Sequence, residues 1–552
     1  MNTGLISRLT AIGVLTLALL PALHAATDNA VVTAAKDGDL RAVRALVAKR
    51  INVNEPARDG STALLWAVYH SDAEMTKALL TAGAKVDTPN KYGVTPLIQA
   101  SRSGDTPLID LLLKSGAKAT LAHPDGETAL MAAARTGHLD AVRLLIEANS
   151  DVNATTYQQE TALMWAAAEG HADVVKALLD AKADPNRKAR VTTIEERKHA
   201  DHPTGGFTAL MYAVRNGHEA VARVLAQRAA DLNLANGDGV TALIVAIVND
   251  RFDLAATLVD LGADANDGSL YFAVDMHDAT TDMRARDGSR LRTDYPNKMT
   301  ALDLIAKLLD HGADPNKAFT GQLHSATLCC SDEINASPFY RAAVAADVEA
   351  LKLMLKKGAD VEWSPKPVKK PGNDEDGGGG RGNANVGRTP VIIAINGGRG
   401  AAFAAGPGFE RLGAPPFREA SNREPVDAIK VLLAAGANPN IKTPDGSTPL
   451  HQAVTARQVP IIQALVAAGA KLDAVNKDNL TPLLLAEKPE PPPPPGNNTD
   501  ARAFKPKRNT REEVIAALRE LMRLGPNDPA PVPPPLPKDE TKKDDKKTED
   551  PQ

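Results

Sequence analysis

Apolar residues along this chain come in pairs of short runs separated by polar breaks, and the pairs recur at a fixed distance. In residues 125–153 the first run is Leu130, Met131, Ala133 and Ala134, and the second is Val142, Leu144, Leu145 and Ile146. Each run predicts a short apolar helix. Asp125-Gly126 is a turn pair, in which glycine takes a positive φ at little cost. Thr128 stands at the start of the first helix, where its hydroxyl can accept an otherwise unpaired backbone N–H. Gly137-His138 stops that helix, and Asn149-Ser150 stops the second. The unit is helix, turn, helix, loop, and its many alanines let paired helices approach closely.

Threonine sets the beat. Thr62, Thr95, Thr128 and Thr161 stand 33 residues apart, and Thr208/Thr241 and Thr448/Thr481 repeat the interval. Gly83-Ala84, Gly116-Ala117, Gly262-Ala263, Gly436-Ala437 and Gly469-Ala470 form a second landmark in the same register. A fixed period of this size marks a repeat array. One unit is too small to bury its own apolar face, so it must stack on its neighbours.

In this respect the chain resembles the ankyrin repeat family. The resemblance rests on the Thr-Pro-Leu-like openings, on Gly137-His138, Gly170-His171 and Gly217-His218, and on closings such as Gly262-Ala263-Asp264-Ala265-Asn266, and it spans residues 28–525. It implies an all-α, ankyrin-type helical repeat solenoid of about twelve units with loop insertions. It also implies structural roles for the Gly-His histidines. The His that follows Thr-Pro-Leu in the family is kept only at His451; the position elsewhere holds Leu65, Ile98, Met131, Met164, Met211, Ile244, Ile392 and Leu484. The hydrogen bonds made through that imidazole are expected to be missing there, with packing resting on apolar contact.

The array is expected in two parts, residues 27–363 and 389–525, separated by a flexible Gly-rich insertion at 364–388. Residues 1–26 read as a signal peptide. Arg8 precedes a Leu9–Leu20 apolar stretch too short for a permanent span, and Leu23-His24-Ala25-Ala26 offers a cleavage site. The alternative is an uncleaved anchor. Residues 526–552 read as a disordered Pro-rich and charged tail. Insertions fall in loops between units, at 187–206, 317–336 and 363–388, or between the two helices of one unit, at 276–298, 396–424 and 487–510. Neither placement disturbs stacked helices.

A net charge of −4 without a basic stripe argues against nucleic acid as a partner. The two cysteines are adjacent, Cys329-Cys330. A strained vicinal disulfide, a bond to another chain, a thiolate metal site with His324, or plain thiols all stay open. Glu195, His199 and His202 would share a helical face and suit a metal, but their segment also reads as a polar surface loop. Gly377–Gly382 fits a dinucleotide fingerprint formally, yet follows no predicted strand and opens no helix, so it reads as linker. No catalytic set stands out, and no catalytic residue, cofactor or metal ligand is assigned.

One column does stand out. The residue four places after each opening Thr is Trp66, Gln99, Ala132, Trp165, Tyr212 and Val245 in successive units, so two of the three tryptophans share this register. Such rings either anchor a partner or pack on the neighbouring helix. Together with the loop tips Lys91-Tyr92, Tyr157-Gln158-Gln159 and Asn236-Gly237-Asp238, they give a partner-binding set of Trp66, Lys91, Tyr92, Tyr157, Gln158, Trp165, Tyr212 and Asp238. The expected protein is an exported bacterial scaffold, periplasmic or secreted, non-catalytic and monomeric. It would bind a protein partner through concave inner helices and loop tips, with no nucleic acid and no membrane span after signal cleavage. The rivals are a metal-handling or enzymatic protein with its site on loops 187–206 and 317–336, and a structural spacer.

Overall fold

The computed structural model describes residues 29–193, 204–228, 230–277, 296–319, 336–366, 387–395, 423–489 and 508–534. They fall into two compact units divided between Tyr157 and Gln158, and each unit is a double row of short helices. In the first unit the helices are α1 (Ala30–Lys36), α2 (Leu40–Ala48), α3 (Ala63–Tyr69), α4 (Ala73–Thr81), α5 (Pro96–Ser103), α6 (Thr106–Lys114), α7 (Ala129–Thr136) and α8 (Leu139–Glu147). Each odd-numbered helix packs on the even one that follows it; odd helices stack on odd, and even on even.

The second unit repeats this scheme. It begins with α9 (Ala162–Glu169), α10 (Ala172–Asp180), the strands β1 (Val191–Thr192) and β2 (Thr204–Gly205), α11 (Ala209–Asn216), α12 (Glu219–Gln227), α13 (Ala242–Val248) and α14 (Phe252–Asp260). It continues through α15 (Ser269–His277), α16 (Ala301–Asp310), α17 (Pro338–Val344), α18 (Val348–Leu355), α19 (Pro390–Ala394) and α20 (Pro425–Ala434). The last helices are α21 (Pro449–Thr455), α22 (Val459–Ala467), α23 (Pro482–Glu487) and α24 (Arg511–Leu521). The odd row runs unbroken from α9 to α23. Long stretches of chain separate α15 from α16, α19 from α20 and α23 from α24, yet each of these pairs still packs together. The sequence did not foresee β1 and β2, which pair antiparallel inside insertion 187–206.

The threonine beat is a capping beat. The hydroxyls of Thr62, Thr95, Thr128, Thr161, Thr208, Thr241 and Thr481 each accept the backbone N–H three residues on, at 3.2–3.3 Å. Behind the caps the odd helices are almost wholly buried; in α7, Ala129 to Ala134 are all core. Asn149, which stands where other units carry Gly, adopts the left-handed conformation with φ 61°.

At His451 the imidazole behaves as the family resemblance implies. Its Nδ1 lies 2.9 Å from the Thr448 hydroxyl and its Nε2 2.9 Å from Leu480 O in the next loop. Burial holds this imidazole below its ordinary pKa, against the opposing pull of the Leu480 carbonyl. The apolar residues standing in its place, such as Leu65, Ile98 and Met131, are buried. Two of the Gly-His histidines reach the preceding repeat: His138 lies against Gly104, and His218 against α9. His218 Nε2 lies 2.9 Å from Ala168 O, and the ring sits so close to Gly170 that a Cβ there would meet Nδ1 at 2.6 Å.

The closing asparagines couple one unit to the next. Asn266 accepts the Asp314 N–H at 2.7 Å and donates to Gly312 O at 2.7 Å. Asn54, Asn316 and Asn440 make the same two-way clasp on Gly83/Lys85, Gly358/Asp360 and Gly469/Lys471. Asn266→Ala is expected to lower stability by about 1–2 kcal/mol, as two hydrogen bonds are lost at a part-exposed site. Urea unfolding measures it, and a change within about 0.3 kcal/mol would mean that solvent replaces the clasp without loss.

The signal peptide 1–26, the Glu195/His199/His202 set, Cys329, Cys330 and His324, the Gly377–Gly382 run and residues 535–552 lie outside the described residues.

Candidate partner-binding surface

In the first unit, Trp66 sits on α3 and is half-buried. Its ring meets Tyr69 edge-on at 5.5 Å and stacks on His70 at 6.1 Å. Lys36 Nζ stands 5.5 Å from the ring centre, and His70 Nε2 lies 2.9 Å from Lys36 O, so the cluster ties the end of α3 to the end of α1. Trp66 Nε1 is buried with no hydrogen-bond partner among the described residues. Tyr69 is 59% exposed, although the sequence reading did not select it.

The loops between units form fingers braced by their own polar residues. Asn90 Oδ1 accepts the amides of Tyr92 and Val94, and Lys91 N donates to Asp59 O of the preceding finger at 2.9 Å. Tyr157 N donates in the same way to Asp125 O at 2.6 Å. These bonds fix the backbones and leave the Tyr92 and Tyr157 rings each 67% exposed. Lys91 is exposed as well. Nearby, Glu127 precedes the capping Thr128 and is almost fully buried. It pairs with Arg102 of α5, and Arg135 of α7 approaches it at 3.9 Å.

In the second unit a different glutamate holds the candidate rings together. Glu160 accepts the indole N–H of Trp165 at 3.1 Å through Oε2 and the Tyr212 hydroxyl at 3.0 Å through Oε1. Trp165 on α9 and Tyr212 on α11 are both half-buried. Phe207 meets Tyr212 at 5.5 Å, and the Arg215 guanidinium lies over both rings, 5.4 Å and 5.2 Å from their centres. Gln158 is exposed and its carbonyl accepts the Arg190 N–H at 2.7 Å. Asp238 is half-buried; its carboxylate accepts from Asn236 Nδ2 at 3.0 Å, so it braces its own finger. Ala132 and Val245, from the same sequence column, are core.

Burial pushes the Tyr212 hydroxyl up to about 12, with the Glu160 charge and hydrogen bond adding to the shift and Arg215 opposing it. Because the folded value is the higher one, the stability it contributes is complete below the ordinary tyrosine value of 10.0 and is lost as pH rises through about 12. Titrations of tyrosinate absorbance are expected to show the amplitude above the ordinary tyrosine range smaller by one ring in Tyr212→Phe than in the wild type. An equal late amplitude in the two proteins would show that Tyr212 does not ionise late.

Sequence reasoning missed Glu160, Phe207 and Arg215. One signal was present: Glu-Thr-Ala-Leu-Met occurs identically at 127–131 and 160–164, with the acid just ahead of the capping Thr. Among the described residues no group of three His, Cys, Asp or Glu is placed to hold a metal ion, and no helix is long and apolar enough to cross a membrane.

A family model described as ankyrin repeats (3 copies) matches residues 31–122, 97–189, 193–268 and 417–489, more than half of the chain. Residues 269–416 lie outside these matches, yet α15 to α19 stack there in the same manner. Among solved structures, the human ASB11 ankyrin repeat domain is similar at 27% identity and a TM-score of 0.35, over 42% of this chain and 96% of that one. No curated protein matches the chain.

Proposed function

We propose, for a chain that belongs to the ankyrin repeat family, a non-catalytic scaffold that holds a protein partner along the edge of the odd helices and the finger tips. Ankyrin repeats generally mediate protein–protein interaction, and this chain keeps the means to do so. The observation that carries the reading is the pair of tip tyrosines, Tyr92 and Tyr157, each 67% exposed on a backbone fixed by inter-finger hydrogen bonds. Large rings held rigidly at low entropic cost are the usual anchors of protein interfaces. Co-purification of the mature chain is expected to recover a defined partner in stoichiometric amount; recovery of the chain alone under gentle lysis would contradict the reading.

Export in a bacterial cell, to the periplasm or beyond, rests on residues 1–26. Mass spectrometry is expected to find a mature terminus following Ala26, and an intact Met1 terminus would overturn it. The metal-handling or enzymatic alternative on loops 187–206 and 317–336 is separated from this reading by metal analysis of the purified chain.

A further inference from the structure

The three arginines that stand seven residues after a capping Thr are Arg102, Arg135 and Arg215. The first two face Glu127. Arg215 faces no carboxylate within ion-pair distance among the described residues; its one polar contact there is a long bond from Nε to Asn216 Oδ1 at 3.4 Å. The nearest acid of its own cluster, Glu160, has one oxygen on Trp165 and the other on Tyr212. Asp238 is bonded to Asn236, and Asp184 accepts the Asn186 amide. Arg215 is exposed and lies over the faces of Phe207 and Tyr212. Tyr212 is in turn fixed by Glu160, so the guanidinium rests on a rigid aromatic floor. Phe207 O accepts the Ala189 N–H at 2.9 Å, which brings the backbone of the basic run Arg187-Lys188 close in sequence to that contact; both residues are exposed, and Lys188 Nζ donates to Ala235 O at 2.6 Å.

We propose that the Phe207–Tyr212–Arg215 platform is the anchor for an acidic segment of the partner protein, an Asp or Glu carboxylate lying edge-on against the N–H groups of the Arg215 guanidinium. This rests on the partner-binding reading and names the chemistry of the partner. Stacking occupies the face of the guanidinium and leaves the N–H edge of its fork to donate to a carboxylate in bidentate fashion, and holding it beforehand lowers the ordering cost of binding. A nucleic acid would also bring anions and planar rings, but the chain as a whole carries a net charge of −4, which disfavours it.

Fluorescence polarisation on the full mature chain tests this with three labelled probes: a Glu/Asp-rich dodecapeptide, a Lys-rich dodecapeptide of equal length, and a single-stranded dodecanucleotide. The acidic peptide alone is expected to bind. Its affinity should fall about tenfold in Arg215→Gln, recover in part in Arg215→Lys, stay unchanged in Lys176→Gln, and weaken with added salt. No binding of the acidic peptide, equal binding by wild type and Arg215→Gln, or binding of the oligonucleotide in its place would each overturn the proposal. Arg215 is exposed, so Arg215→Gln is expected to keep the wild-type helical spectrum; should it not, Arg215→Lys against Lys176→Gln decides alone. Loss of the platform with a natural partner still held at the first unit's finger tips would sink this inference and leave the scaffold reading standing.

Discussion

Asp347→Ala is expected to destabilise the second unit by about 3 kcal/mol. The carboxylate is 1% exposed and serves three elements at once. Oδ1 accepts the Ala350 N–H at 3.1 Å and caps α18. Oδ2 meets Nδ1 of His277, the last residue of α15, at 2.5 Å and Nη2 of Arg423 at 3.2 Å. Arg423 closes the network by donating to His277 O at 3.1 Å. Removing the acid strips the cap and takes from His277 and Arg423, 18% and 24% exposed, the carboxylate they share. Replacing one member of a buried pair costs more than the pair contributes, because the partner stays behind undercompensated. Urea unfolding should show the loss, and hydrogen exchange should place it at α15 and α18. A loss under about 1 kcal/mol would mean that water enters and replaces the carboxylate.

The same cluster sets an acid limit. Burial raises the Asp347 carboxyl, but the His277 hydrogen bond, the His277 charge and the Arg423 charge together hold it below its ordinary value of 3.8. With the folded value the lower one, the contribution is complete above about pH 4 and disappears only as pH falls through the depressed folded value. Mild acid is therefore expected to leave this junction intact.

Trp165→Ala is expected to weaken partner binding by about 2 kcal/mol or more, roughly thirtyfold. The ring is half-buried rather than core, and its N–H bond to Glu160 orients it without enclosing it. Lys176→Ala is the control. Lys176 is exposed on α10, and its one polar side-chain contact among the described residues is Asp173, at 3.5 Å along its own helix, a kind of pair worth little. Calorimetry or surface capture with the recovered partner measures both. If Trp165→Ala lowers folding stability by about 3 kcal/mol and leaves binding intact, the ring belongs to the core and the anchor reading fails.

The repeat register was legible because it lives in local chemistry. A Thr hydroxyl three residues from the amide it caps, or an Asn taking the left-handed place of Gly at Asn149, is visible within one unit. The interrupted pairs α15/α16 and α19/α20 were legible too, because insertion leaves each helix its own apolar face. What stayed hidden depends on side chains meeting between units. Where the beat is unbroken, Asn54 finds Lys85 31 residues on. Once insertion 187–206 intervenes, Tyr212 and Glu160 are 52 apart. His277 and Asp347 are separated by 70, and Arg423 and His277 by 146. No fixed period points to such partners. Glu160 was passed over for a second reason: an acid ahead of a capping Thr looks like ordinary polar loop until the ring opposite it is known. Asp238 was misleading in the opposite sense, since a Gly-Asp tip reads as exposed while its carboxylate is turned back to Asn236.

The most direct test of the central claim, that this is a partner-holding surface on the odd-helix edge and fingers, is site-specific photo-crosslinking in the producing cell. A benzophenone amino acid is placed in turn at Tyr92, Tyr157, Trp165 and Lys176. Discrete partner adducts from Tyr92 and Tyr157 in the first unit and from Trp165 in the second, with none from Lys176 on the even row, are what the account predicts. Adducts from Lys176 equal to those from the fingers, or no adduct from Tyr92, Tyr157 or Trp165, would contradict it.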